Sequence, residues 1–114
     1  MFKNLGAMGD MAKMMKAAKE MQGKMAQLQE DMANMMVEGE AGAGLVKATA
    51  NAKGKVTKLD IDPSIFNAEE KEVVEDLILA AITDAQTRAQ ERAKQEMNKL
   101  AEDMGLPAGM DLPL

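Results

Sequence analysis

The side chains that most enzymes use for chemistry are scarce in this 114-residue chain. It contains no His and no Cys, which removes the most common general base, the most common metal ligand and every thiolate nucleophile. Ser64 is the only serine, and no candidate base lies near it in the sequence. The carboxylates are scattered, apart from Asp60 and Asp62 at a predicted strand end. We therefore predict that the protein is not an enzyme and that it has no metal site and no cofactor.

Basic side chains form the pattern with the clearest chemical use. Lys13, Lys16 and Lys19 are three residues apart and therefore share one face of a helix. Amines arranged in this way suit the phosphates of a nucleic-acid duplex. The competing interpretation is that the charges only hydrate the helix surfaces. We predict six DNA-binding residues, namely Lys13, Lys16, Lys19, Lys24, Arg88 and Arg92.

The net charge of −5 does not exclude such a surface, because the charges are unevenly distributed. Residues 1–36 carry five basic and four acidic side chains, residues 37–62 carry four of each, and residues 63–114 carry five basic and eleven acidic ones. Between Lys3 and Lys24 the lysines outnumber the acids by five to two. Phe2 and Phe66 are the only aromatic residues, so the chain lacks a platform of rings for stacking unpaired bases.

A long amphipathic helix is predicted to carry the lysine row. Ten of the thirteen methionines lie in the first 36 residues, and apolar residues fill positions a and d of four consecutive heptads. We expect the helix to begin at Asp10, because Gly6 and Gly9 disfavour a helix before it, and to end within residues 37–39. The a positions are Met11, Ala18, Met25 and Met32, and the d positions are Met14, Met21, Leu28 and Met35.

A small sheet and a second helix are predicted to follow. Residues 45–51 and 56–61 alternate as strands around a hairpin connection at 51–54, and residues 37–43 form either a turn or an edge strand. Asn67 is the expected N-cap of the second helix, which ends at Gly105. We predict one domain over residues 1–104 and a flexible tail over residues 105–114.

The helices are too long for a compact monomer. They would span about 40 and 55 Å at 1.5 Å per residue, whereas a domain of this size is about 35 Å across. Because their apolar stripes continue to the far ends, we predict a homodimer with projecting helical arms. An alternative function is that of a protein-interaction adaptor that grips partner helices with its methionines. No apolar stretch is long enough for a membrane span or a secretion signal, so we expect neither.

Several segments, in order along the chain, resemble the YbaB/EbfC family of nucleoid-associated proteins. Residues 37–47 are similar to the family pattern V-x-G-x-S/A-G-x-G-x-V-K, and residues 60–64 are similar to its I-D-P-S/E-L strand end. The helical segment 75–81 with Asp84 and Ala85 is similar to E-D-L-x-x-A-A-x-N-D-A, although Thr83 replaces the more common Asn. Residues 17–22 and 105–109 add a Met- and Gln-rich helix and a G-x-P-G-like ending.

The resemblance implies an α+β fold of order α-β-β-β-α, with two long helices and a small antiparallel sheet, assembled as an intertwined, tweezer-like homodimer. It implies low-specificity binding to double-stranded DNA in the cytoplasm, at the bacterial nucleoid, with a role in nucleoid organisation and gene expression. It implies no cofactor, no small-molecule substrate and no membrane partner. The acidic balance then predicts weak, salt-sensitive affinity.

Overall fold

A computed structural model of the chain describes the backbone of residues 2–105 and the side chains of residues 9–105. Its elements have the predicted α-β-β-β-α order, which confirms the fold class. The side chain of Lys3 and the predicted tail from residue 106 onward lie outside the described parts. The elements are α1 Phe2–Asn34, β1 Met36–Ala41, β2 Val46–Asn51, β3 Val56–Ile61, the 3₁₀ turns Pro63–Ile65 and Ala68–Glu70, and α2 Lys71–Asp103.

The first helix differs from the prediction at both ends. It begins at Phe2 rather than Asp10 and contains Gly6 and Gly9. A glycine costs a helix only about 1 kcal/mol relative to alanine, so two of them weaken this segment without ending it. Where the helix stops at Asn34, the N–H of Ala52 donates to the carbonyls of Met32 (3.1 Å) and Met35 (2.9 Å), both of which a continuing helix would use for its own N–H groups.

The three strands form one antiparallel sheet in the order β1-β2-β3. The segment left open between a turn and a strand is an edge strand, and its Gly39 lies opposite Ala48. On the other side of β2, Ala48 lies opposite Leu59. These three residues therefore share the face that meets α2. The β2–β3 connection comprises residues 52–55, one residue later than predicted.

Helix α2 lies close to the sheet because the contact is made of small residues. Ala81, Ala85 and Ala89 are four residues apart, and all three are fully buried against a set of β2 residues. In β1, Gly39 faces the backbone of α2 directly. The β2 residues are Val46, Ala48 and Ala50. The helix covers β1 and β2 and only touches β3, where Leu59 stays 41% exposed.

The end of α2 agrees with the prediction, whereas the helix begins at Lys71 and not directly after the predicted N-cap Asn67. The side-chain oxygen of Asn67 accepts a hydrogen bond from the N–H of Glu69 at 3.1 Å, so Asn67 caps the 3₁₀ turn that leads into the helix. Gly105 follows the helix at φ 75°, a left-handed conformation that glycine adopts without strain.

The C-terminal half of α1 packs on α2, whereas the N-terminal half projects away from the rest of the protein. Leu28 and Met32 are buried with Ala52 and Leu100. Every described side chain from residue 9 to residue 20 is exposed. The chain consequently measures 83 × 21 × 18 Å with a radius of gyration of 21.6 Å, against about 13 Å for a compact domain of this length. The predicted apolar seam is thus buried within this chain along only part of its length.

Candidate nucleic-acid interface

The four candidate lysines of α1 lie in the exposed part of the helix, with Lys13, Lys16 and Lys19 on the face away from the apolar stripe. Among the salt bridges of residues 9–105, none involves Lys13, Lys16, Lys19 or Lys24. These four lysines, called uncompensated below, therefore have no salt-bridge partner in the described part of the structure. An uncompensated lysine can donate to a phosphate without first giving up a carboxylate partner.

The two candidate arginines of α2 are in a different electrostatic state. The Nε of Arg88 lies 3.2 Å from a carboxylate oxygen of Asp84, and the Nε of Arg92 lies 3.0 Å from one of Glu96. Lys99 shares the same Glu96 oxygen at 3.4 Å. Each arginine keeps its terminal nitrogens as further donors, but it already has a carboxylate partner. The structure therefore divides the six candidates into an uncompensated lysine set and an ion-paired arginine pair.

The carboxylates beside the arginines are held in their ionised form. A hydrogen bond of 3.0 Å from the backbone N–H of Glu40 lowers the pKa of Asp84, and Arg88 lowers it further. Burial raises the pKa of Glu96, but the hydrogen bonds and charges of Arg92 and Lys99 outweigh it, so that its pKa is also lowered. Asp84 thereby ties α2 to β1, which is an edge strand. Both ion pairs thus lie within α2, and Asp84 also links its pair to the sheet through the N–H of Glu40.

Sequence spacing did not single out a second group of lysines, on the β2–β3 connection. Lys53 and Lys55 are exposed there on either side of Gly54, and the salt bridges within the described residues do not involve them. The signal that could have identified them is the turn sequence Asn51-Ala52-Lys53-Gly54-Lys55, which places two lysines at a hairpin tip.

Apolar surface accompanies this charge. A groove of about 820 Å³ runs between α1, the β2–β3 connection and α2. Its apolar lining includes Ala18, Met21, Met25, Met32, Ala52 and Ala93. Beyond the groove, Met11, Met14 and Met15 on α1 are 63–71% exposed. Apolar surface of this extent on a small chain is typical of a protein–protein interface.

Metal-binding clusters and membrane-spanning helices are both absent from the described part of the chain. Residues 9–105 contain no group of three or more acidic, His or Cys side chains that could hold a metal ion. Neither α1 nor α2, as far as the structure describes them, is both long and apolar enough to cross a membrane.

Comparisons with known proteins agree with the resemblance seen in the sequence. The model of the YbaB/EbfC DNA-binding family matches residues 8–104. Nucleoid-associated protein DP1429 from Desulfotalea psychrophila is 43% identical over 98 residues, which cover 86% of this chain and 92% of that protein. The crystal structure of an uncharacterized protein, HP0035 from Helicobacter pylori, has a similar fold with a TM-score of 0.62 at 26% identity, covering 76% of this chain and 87% of that chain.

The family match extends over α1, the sheet and α2, so it includes all six candidate residues. A family defined by DNA binding also confirms the prediction that the protein is not an enzyme. The chain belongs to the YbaB/EbfC DNA-binding family.

Proposed function

We propose that this protein is a nucleoid-associated homodimer that binds double-stranded DNA with low sequence specificity and so influences nucleoid organisation and gene expression. The observation that carries the proposal is the set of uncompensated lysines on the projecting part of α1, in a member of a DNA-binding family. The name of the 43% identical relative supports the nucleoid as its location.

Low specificity follows from the kinds of side chain involved. Lysines contact phosphates as point charges, and phosphate contacts carry no base information. Base reading in the major groove commonly uses an arginine that donates two hydrogen bonds to guanine. Arg88 and Arg92 each bind a carboxylate through Nε, which restricts how they can turn toward a base. Affinity should therefore depend on salt far more than on sequence.

The lysine row is tested by the salt dependence of binding to a random duplex of about 30 base pairs, followed by fluorescence anisotropy. The test variant is K13Q/K16Q/K19Q, and the control is K47Q/K71Q/K99Q, which removes the same charge from lysines that are ion-paired. Each lost phosphate contact should reduce the slope of log K against log salt by about 0.9, so the test variant should lose up to about 2.7 per chain. The control should keep the wild-type slope.

Two outcomes would count against the proposal. Equal slopes for the test variant, the control and the wild type would exclude the lysine row as the contact surface. A wild-type protein whose affinity did not change with salt would exclude phosphate binding altogether. A duplex of different sequence should change the affinity little, whereas a preference of a hundredfold would contradict low specificity.

The homodimer is supported by apolar surface that the chain does not cover itself. Met14 is 71% exposed on α1, Leu59 is 41% exposed on β3, and the groove beside α1 is open. A second copy would bury the apolar side chains of this surface, and its arm would supply the missing partner of the heptad seam. Sedimentation at micromolar concentration should give twice the chain mass of 12.3 kDa. A fully helical species at the single-chain mass would refute the dimer.

A second candidate function is that of a protein-interaction adaptor, with DNA binding weak or incidental. The methionine-lined groove favours it, because flexible and polarisable side chains can adapt to different helices. Capture of a stoichiometric protein partner from nuclease-treated lysate, together with no duplex binding at physiological salt, would favour the adaptor over the DNA-binding function.

A further inference from the structure

The hairpin tip between β2 and β3 is held by an unusually complete set of hydrogen bonds around Asn51. The side-chain oxygen of Asn51 accepts from the backbone N–H groups of Lys53 at 3.1 Å and Lys55 at 3.0 Å. Its own backbone N–H donates to the carbonyl of Lys55, and its carbonyl accepts from the N–H of Gly54, both at 2.9 Å. Asn51 is only 6% exposed and is the one buried polar residue in the described core.

The tip is also anchored to α2. The side-chain amide of Gln86 donates to the carbonyl of Gly54 at 3.3 Å. Gly54 has φ 91°, and a Cβ added to it would meet only open space, so the outer surface of the tip is bare backbone. This surface, made of Lys53, Gly54 and Lys55, is called the basic turn below. Its backbone is fixed before any ligand arrives.

The two lysine side chains take no part in holding the turn. In the hydrogen bonds that shape the turn, Lys53 and Lys55 take part only through backbone atoms, and both side chains are exposed. Neither forms a salt bridge within the described residues, whereas Lys47 and Lys71 pair with Glu38 and Glu75. The basic turn therefore presents two uncompensated charges on a rigid support.

The basic turn lies at the edge of the groove beside α1, and the last lysine of the row is a helix neighbour of a groove-lining residue. Lys53 lines the groove together with Gln22 and Gln29 of α1. Lys19 lies three residues before Gln22 and thus on the same side of the helix. From Lys19 to Gln29 the helix rises about 15 Å, a distance over which a duplex presents roughly nine phosphates on its two strands. Along the axis of α1, the row and the residues beside the basic turn thus lie within the length of one short duplex segment.

We propose that the basic turn is a second phosphate-contact site for double-stranded DNA, formed by Lys53 and Lys55 and distinct from the lysine row of α1. The inference rests on the proposed DNA-binding function. A fixed turn loses little conformational freedom on binding, and the absence of a side chain at Gly54 lets the sugar–phosphate backbone approach between the two amines. Its contribution is independent of sequence, since it reaches phosphates alone.

The test compares K53Q/K55Q with the charge-matched control K47Q/K71Q on the same random duplex. Loss of two phosphate contacts per chain should reduce the salt slope by about 1.8 for each chain that contacts the duplex, so that between 50 and 200 mM salt the variant loses about 12-fold less affinity per contacting chain than the wild type. The control should follow the wild type. K53R/K55R keeps both charges and should restore the wild-type slope.

Circular dichroism and thermal unfolding should be unchanged in K53Q/K55Q, because the turn is held by backbone atoms and by Asn51. A folded K53Q/K55Q protein with the wild-type slope would overturn the proposal while leaving the lysine row of α1 intact. A wild-type protein that bound no duplex at all would instead refute the proposed function. The two failures are therefore distinguishable.

Discussion

Replacing Gly39 by alanine is expected to disrupt the packing of α2 on the sheet. Gly39 lies in β1 beneath α2, where an added Cβ would meet the backbone N of Ala85, lie 2.6 Å from the Cα of Ala85 and 2.8 Å from the carbonyl oxygen of Ala81. Carbon atoms in favourable contact are about 3.5–4.0 Å apart. Because the opposing atoms belong to the helix backbone, no side chain can rotate to make room. Relief requires α2 to move by about 1 Å, away from the sheet whose contact with it forms the core.

The expected destabilisation is at the upper end of the overpacking range, about 3 kcal/mol. Whether the substitution stabilises or destabilises the protein is informative, because Gly39 is not among the described residues with positive φ. An alanine at such a position would otherwise stabilise the protein by about 0.4–1 kcal/mol through the unfolded state. For a domain of about 100 residues, a loss of 3 kcal/mol lowers the thermal midpoint by about 12 °C or more. The effect therefore stands well outside the error of a melting experiment.

The matched control is the same substitution at Gly23. This glycine lies in α1, and a Cβ there would meet nothing within 4 Å. Gly23→Ala should raise the helical circular dichroism signal and keep or increase the midpoint, since alanine favours a helix by about 1 kcal/mol. Both variants should be melted at one protein concentration, because association shifts the midpoint. A Gly39→Ala protein as stable as the wild type would refute the close packing of α2 on β1.

Three other substitutions test separate contacts. Met32→Ala removes a side chain that is 3% exposed between α1 and α2, and it should cost about 2–5 kcal/mol in urea unfolding. Asn51→Ala leaves two backbone N–H groups of the basic turn without their acceptor. It should lower the free energy of unfolding by about 1–3 kcal/mol and leaves the net charge unchanged. The pKa of Asp84 is lowered by the Glu40 N–H, so its contribution to stability is complete above the unfolded pKa of about 3.9 and is lost as pH falls through the folded value. Asp84→Asn should therefore show a shallower loss of thermal midpoint between pH 5 and pH 2.

Element type could be predicted from the sequence wherever local signals agreed. Apolar periodicity and turn residues predicted both helices and the β2–β3 hairpin, and Gly105 marked the end of α2 correctly, whereas Asn67 caps a 3₁₀ turn and α2 begins at Lys71. The predicted start of α1 was wrong, because a glycine weakens a helix by a limited amount and does not terminate it. The predicted end of α1 was wrong for another reason. The carbonyls of Met32 and Met35 are taken by Ala52, a residue that only the folded sheet brings near.

The candidate site could be predicted less well, since charge state depends on tertiary neighbours. Spacing identifies lysines on one face of a helix, but it treats Arg88 and Arg92 as equivalent to them. The structure separates the two sets through Asp84 and Glu96, and the first of these carboxylates is also bound by the N–H of Glu40, 44 residues away in sequence. The basic turn was missed because its lysines are unremarkable in sequence. Their significance comes from the buried side chain of Asn51, which fixes the turn that carries them.

The net charge of −5 is compatible with a DNA-binding surface because the opposing charges are spatially sorted. On α2, the carboxylates of Asp84 and Glu96 form salt bridges with the helix's own arginines, whereas the lysines of α1 and of the basic turn form none within residues 9–105. Screening makes this sorting effective. At physiological salt the Debye length is about 8 Å, so a phosphate beside an exposed lysine scarcely interacts with carboxylates elsewhere on a molecule 83 Å long. The acidic surplus weakens binding mainly at low salt, where charge acts over longer distances, and the local lysines determine where the duplex is held.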